Sequence, residues 1–206
     1  MDNNDKVREY YFTISKSSQA EYKEKGSRFI AYTFPVYAVE EFKSKLAALK
    51  EEHPKASHYC FAYRIGPEKD FFRSSDDREP SGTAGKPIMG QIDSKELTNV
   101  CVVVVRYFGG TLLGVPGLIA AYKTAASMVL QLSPVVRKAV EVHYLLHFNY
   151  THLNHIMQLV KQRNITVIAQ DLQLFCTMTI SIAVNQADLV LSELENMHDV
   201  EVHAVT

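Results

Sequence analysis

Beyond residue 140, apolar and polar positions alternate in long regular stretches. Val142, Tyr144, Leu146, Phe148 and Tyr150 fall on every second position, which predicts a strand with one apolar face. Leu153, Ile156, Met157 and Val160 follow at helical spacing, with Thr151 placed to cap them. Ile165, Val167 and Ala169 predict a second strand. Leu174, Cys176, Met178, Ile180, Ile182 and Val184 predict a third. Asn185, with Asp188 three residues on, predicts the start of a second helix, striped by Ala187, Val190, Leu191 and Leu194. Val200, Val202 and Ala204 close the pattern as a last strand. Right-handed crossovers turn this βαββαβ order into a ferredoxin-like sheet with both helices on one face.

The uncovered face then carries His143, His147 and His203. With the first strand central and beside the last, these three can be neighbours, though the sequence does not decide whether they cluster. Imidazoles on one face can bind zinc. No carboxylate or Cys joins them at a recognisable ligand spacing, so a polar surface is the preferred reading. The face also lacks the aromatic side chains that stack RNA bases.

The first two thirds of the chain read differently. Tyr11–Ser15 and Ser27–Val36 predict strands, separated by a polar run that ends at Gly26. Val39, Phe42, Leu46 and Leu49 mark a helix that His53-Pro54 stops. His58–Ile65 alternates as a strand, and Phe71–Ser74 predicts a short one. A brief helix signal covers Ile88–Leu97. Asn99–Phe108 is a continuous apolar run, the pattern of a central strand covered on both faces. Pro116 suits the first turn of a long helix reaching about Leu132.

Composition narrows the class. The chain has 206 residues, net charge −1, 47% hydrophobic and 22% charged residues, which excludes a disordered chain and a disulfide scaffold. The near-zero charge hides a step. Residues 1–138 hold 20 of the 22 basic and 16 of the 23 acidic residues, a net +4, and the remainder carries −5. Such a step marks a boundary. Two domains are expected, 1–136 and 137–206. Three widely spaced Cys without a CxxC suit a reducing compartment. The polar start MDNNDKVREYYF has no apolar core of a secretory signal, so a soluble, cytoplasmic protein is expected.

The chemistry lies in the basic part. Asp76, Asp77 and Glu79 precede the small-residue run Ser81, Gly82, Thr83, Ala84, Gly85, Lys86. The run fails the P-loop pattern, because Pro80 stands where the first Gly would be. Its backbone N–H groups suit an anion nest beside Lys86, and equally a tight structural loop. The carboxylates suit Mg²⁺ or proton transfer, or pairing with nearby Arg. Arg106, at the end of the apolar strand, is placed to meet either an anion or this acidic loop. Cys60 shares a strand face with His58, a weak nucleophile pattern, since a strand Cys usually packs.

Two strings are specific. SSDDREPSGTAGKPIM and VVVVRYFGGTLLGVPGLIAAY closely resemble the YigZ/IMPACT family, and HYCFAYR resembles its earlier element. Arg106, Tyr107, Phe108, Gly109, Gly110, Leu113 and Gly114 meet its hallmark. The chain departs at Arg78 and Pro116, where the bacterial pattern has Gly, and at Ala120, where a basic residue is common.

The resemblance implies an α+β, two-domain protein. It pairs an N-terminal domain like domain 2 of ribosomal protein S5, as in elongation factor G, with a ferredoxin-like C-terminal domain. Eukaryotic members restrain a translation kinase. Bacterial members have no settled activity, and some carry a proline dipeptidase label. The expectation is a non-enzymatic binding factor linked to translation, with the ribosome, RNA or a translation-related protein as partner. A basic groove would carry the contact, built from His58, Cys60, Asp76, Asp77, Glu79, Ser81, Gly82, Thr83, Gly85, Lys86, Arg106, Tyr107, Gly109 and Gly110. No cofactor or metal is expected. The alternative is a hydrolase for a phosphate-containing or peptide substrate.

Overall fold

The computed structural model describes residues 8–205; the polar start of the chain, residues 1–7, lies outside them. The chain divides into two compact units. One is Tyr11–Lys138, and the other joins, among the described residues, 8–10 with 139–205.

In chain order the elements up to residue 139 are β1 (Tyr10–Ile14), β2 (Ser18–Glu24), β3 (Ser27–Pro35), α1 (Val39–Glu52), β4 (His58–Ile65), β5 (Phe71–Ser75), α2 (Gly85–Ser94), β6 (Val100–Tyr107), α3 (Gly114–Leu132) and β7 (Val135–Ala139); all but Tyr10 and Ala139, at the outer ends of β1 and β7, belong to the first unit. Five strands form an antiparallel sheet in the order β2-β3-β6-β4-β5, and β1 pairs separately with β7.

The central position of β6 explains its unbroken apolar run. Val100, Val102 and Val104 enter one core, against α2 and α3. Cys101, Val103 and Val105 enter a second core, against Phe42 and Leu49 of α1. Successive strand residues point to opposite faces, so a strand covered on both sides has no polar position to spare. Helix α3 buries Leu118, Ala121, Tyr122, Ala125, Ala126, Val129 and Leu130. These recur at three- and four-residue intervals, and the small Ala side chains let the helix lie close to the sheet. Pro116 is its third residue, inside the first turn as expected.

Two strands escape the sequence pattern. β2 reads SQAEYKE because it is an edge strand, with only Ala20 buried and Tyr22 packed on the core. β7 reads VVRKA, with two apolar residues followed by two basic ones, so it shows no alternation.

The second unit comprises β8 (Glu141–Asn149), α4 (Leu153–Gln162), β9 (Thr166–Leu172), β10 (Phe175–Ala183), α5 (Val184–Glu195) and β11 (Val200–Val205). Its antiparallel sheet runs β11-β8-β10-β9, which is the ferredoxin-like arrangement. Leu146, Phe148, Met178, Ile180 and Ile182 from the sheet pack with Ile156, Leu159, Val190 and Leu194 from the helices.

Neither expected helix cap forms. Thr151 lies in a 3₁₀ turn, Tyr150–His152, that leads into α4, and no side chain caps that helix. α5 begins at Val184, one residue early, so Asn185 is already inside it and its amide donates to Tyr10 Oη at 3.2 Å.

Candidate binding site

The pairing of β4 with β6 sets His58 directly opposite Arg106. Opposed residues on antiparallel strands project to the same face. The loop after β5 brings Glu79 to both. Arg106 Nη1 donates to Glu79 Oε1 at 2.5 Å, and Tyr122 Oη from α3 donates to the same oxygen at 2.7 Å. His58 Nε2 lies 3.8 Å from it. The Arg106 and Glu79 side chains are only 5% and 3% exposed. Arg106 Nη2 donates to Ser27 Oγ at 3.4 Å, whereas Arg106 Nε is buried with no hydrogen-bond partner. The guanidinium lies 5.4 Å from the Phe29 ring centre and 5.7 Å from that of Phe108. Of the two positions open to Arg106, it takes the one against the acidic loop.

Asp76 organises the rest of that loop. Its Oδ2 accepts the N–H of Gly82 at 2.8 Å, and its Oδ1 accepts those of Ala84 at 2.9 Å and Gly85 at 2.8 Å. The small-residue run does cradle an anion, and the anion is a side chain of the same loop. Burial opposes the charge, but the three N–H bonds and nearby Lys86 outweigh it and hold the Asp76 carboxyl below its ordinary value. Asp77 Oδ2 accepts the N–H of Tyr59 at 2.7 Å, and its carbonyl accepts His58 Nδ1–H at 2.8 Å. That bond leaves Nε2 of a neutral His58 without a proton. Thr83 Oγ1 donates to the Pro80 carbonyl at 2.7 Å, while Ser81 and Lys86 are exposed.

Cys60 is fully buried beneath this loop. Its Sγ lies 3.0 Å from the Asp76 carbonyl oxygen and 3.3 Å from Tyr122 Oη, so its one S–H has an acceptor on either side. Burial pushes the thiol well above its ordinary range, so it stays protonated and is no nucleophile. Tyr107 points to the opposite face, where its hydroxyl hydrogen-bonds His53 Nδ1 at 2.9 Å. Gly109 packs against the backbone of Gly26.

His58, Glu79 and Arg106 form the polar floor of an open pocket of about 530 Å³. Its walls are Pro80, Phe108, Leu112, Leu113, Val115 and Leu118. Leu112, at 84% exposed, and Val115, at 52%, stand at its rim. Sequence reasoning missed these apolar walls and also Tyr122. The signal for Tyr122 was a lone hydroxyl in the buried stripe of α3, which demands a polar partner inside the core.

In the second unit, the His147 and His203 rings lie 5.5 Å apart, edge to face, and His203 Nε2 is 3.6 Å from Glu201 Oε2. They line another recess, of about 510 Å³. His143 stands opposite Val205 and Ser181 in the sheet register. Among the described residues, no group of three or more His, Cys, Asp or Glu is arranged to hold a metal ion. No described helix is long and apolar enough to cross a membrane.

The Impact N-terminal domain family model matches residues 25–130, just over half the chain. The chain belongs to the IMPACT family. Every residue named in the first unit's pocket falls inside the matched region. The IMPACT family member YigZ of Escherichia coli is 36% identical over 77% of this chain and 78% of its own. Protein IMPACT of Rattus norvegicus is 35% identical over 94 residues, 44% of this chain and 30% of its own length. A crystal structure described as that of a hypothetical protein superposes with a TM-score of 0.78 at 29% identity, over 97% of this chain and 99% of the other.

Proposed function

We propose that this chain is a non-enzymatic regulatory factor of the translation system, acting in the cytoplasm, and that its N-terminal unit receives a protein partner in the pocket above Arg106. The carrying observation is the pocket's place. It lies wholly within the region matched by the family model, and an animal IMPACT protein resembles the chain over a stretch of similar size.

The chemistry of the pocket favours a translation-related protein over RNA. Glu79 neutralises Arg106, and the rim is apolar. An RNA groove relies instead on unpaired cations along the phosphate track. The hydrolase alternative asks for carboxylates free to hold a metal or move a proton. Here Asp76, Asp77 and Glu79 all accept bonds from the protein itself.

The test is co-sedimentation of the full chain with purified ribosomes and ribosome-associated factors, at low and moderate salt, beside a Leu112→Asp variant. Association that survives salt and falls at least tenfold in the variant is expected. No association at either salt overturns the reading. Association that collapses with salt and ignores the variant replaces the protein partner with RNA.

A further inference from the structure

We propose that the pocket of the N-terminal unit receives a Trp side chain of a protein partner, whose indole N–H donates to His58 Nε2. This rests on the reading above, that a protein partner occupies the pocket, and names the group that fills it.

The pocket floor offers a hydrogen-bond acceptor that the protein leaves unused. His58 Nδ1 gives its proton to the Asp77 carbonyl at 2.8 Å, so Nε2 of the neutral ring holds a lone pair. The same bond fixes the ring and therefore the direction of that lone pair. Among the described residues no donor reaches Nε2, and Glu79 Oε1, at 3.8 Å, is itself an acceptor. Nor is the atom sealed. The His58 side chain is 20% exposed, and the described buried side-chain nitrogens and oxygens without a partner are Arg64 Nε, Arg106 Nε and Arg163 Nε. His58 Nε2 is not one of them, so it keeps surface toward the open volume that His58 lines.

Charge selects a neutral donor. Arg106 and Glu79, the two formal charges of the lining, are bonded to each other and cancel. An anion would meet the lone pair of His58 and the charge of Glu79. A cation would approach Arg106 with no carboxylate left to balance it. The walls ask for a large apolar body, because Pro80, Phe108, Leu112, Leu113, Val115 and Leu118 surround a volume of about 530 Å³. Trp combines the two demands: its one polar atom is a donor and the rest of the ring system is apolar. Tyr has a smaller ring and brings lone pairs of its own. Phe or Leu would desolvate Nε2 without giving it a partner. Aromatic anchors seated in pockets with an apolar surround carry most of the energy of protein interfaces.

The chain contains no Trp, so indole fluorescence reports the ligand alone. The experiment titrates the full chain into the neutral tripeptide acetyl-Gly-Trp-Gly-amide, the same peptide built with 1-methyl-Trp, and free tryptophan, with the corresponding Tyr and Phe peptides as competitors. The Trp peptide is expected to shift its emission to the blue and to saturate with a dissociation constant below about 10 mM. Methylation removes the donor and keeps the ring, and should weaken binding at least about fivefold. The Tyr and Phe peptides should compete more weakly than the Trp peptide binds. His58→Phe also breaks the bond to Asp77, so its readout is a ratio: a loosened loop weakens both Trp peptides alike, whereas loss of the acceptor brings their affinities together. Where that variant does not fold, the comparison of the two Trp peptides on the parent chain decides. No saturable binding, equal affinity of the Trp and 1-methyl-Trp peptides, a Phe peptide as tight as the Trp peptide, or an unchanged ratio in His58→Phe would each overturn the proposal. Free tryptophan binding more tightly than the peptide would overturn the protein source in favour of a small molecule. Ribosome association without Trp-peptide binding refutes this inference alone. Trp-peptide binding without ribosome association refutes only the translation partner of the reading above.

Discussion

Gly109 and Gly26 meet backbone to backbone: a Cβ on Gly109 would stand 1.9 Å from the Gly26 carbonyl carbon and 2.2 Å from the Ser27 nitrogen. No side-chain rotation relieves such a clash, because the obstructing atoms are main chain. The β2–β3 turn and the exit of β6 are locked together at this point. Gly109→Ala is expected to cost about 3 kcal/mol or more, at or beyond the upper end for overpacking. Its neighbour Gly110 has open space around its Cβ position but φ +84°, so Gly110→Ala should cost only about 1–2 kcal/mol, the left-handed penalty. Urea unfolding of both variants checks this. Equal losses would mean that the close approach is not what holds Gly109.

The same pair shows what the sequence can and cannot reveal. The Gly-Gly step after an apolar strand was legible, and so was the strand itself, because double burial removes every polar position from β6. The ferredoxin-like unit was legible for the complementary reason: one covered face gives strict alternation. What faces what at the site was not legible. Asp76, Asp77 and Glu79 are three similar carboxylates within four positions, yet one takes three amides, one ties down β4, and one is buried against Arg106. Those assignments follow from the path of the loop, to which side-chain type alone gives no access. The apolar rim at Leu112 and Val115 was hidden likewise, since exposed and buried leucines look alike in a string of letters.

Glu79 and Arg106 are buried together, so removing one partner strands the other. Arg106→Met or Glu79→Leu alone should cost about 3–5 kcal/mol, the range for an orphaned buried charge. The double variant should cost much less than the sum of the two, which a double-mutant cycle in urea reads directly. Tyr122→Phe removes one donor to Glu79 and one partner of Cys60, and should cost about 1–2 kcal/mol. Single-variant losses below about 1 kcal/mol would place the pair in contact with water, as for a surface bridge.

Arg78 occupies a left-handed conformation, φ +71°, which favours Gly. An L side chain there costs about 1–2 kcal/mol. Its compensation is one exposed bond, from Nη2 to the Ser57 carbonyl at 3.3 Å, and a distant approach to Asp77 at 3.9 Å. Against this, Gly brings more freedom to the unfolded chain, about 0.5–1 kcal/mol. Arg78→Gly should therefore gain about 0.5–1 kcal/mol, whereas Arg78→Val should lose stability, because a branched Cβ worsens the same strain. Thermal unfolding of the two variants against the parent decides it. A destabilised Arg78→Gly would show that the Ser57 contact matters more than the backbone.

Asp76 makes the loop sensitive to acid. Its native carboxyl is held below the ordinary 3.8 by the N–H groups of Gly82, Gly85 and Ala84 and by Lys86, against an opposing effect of burial. The native state thus takes up this proton less readily than the unfolded chain. The resulting stability is fully present above the ordinary carboxyl range. It is lost as the pH falls below about 4 and through the lowered native value. Asp76→Asn keeps one acceptor oxygen but no charge, and should cost about 1–3 kcal/mol at pH 7. Between pH 5 and pH 2.5 the variant should lose less stability than the parent, so the two curves converge. Urea midpoints measured across that window give the comparison, and parallel curves would remove Asp76 from the acid response.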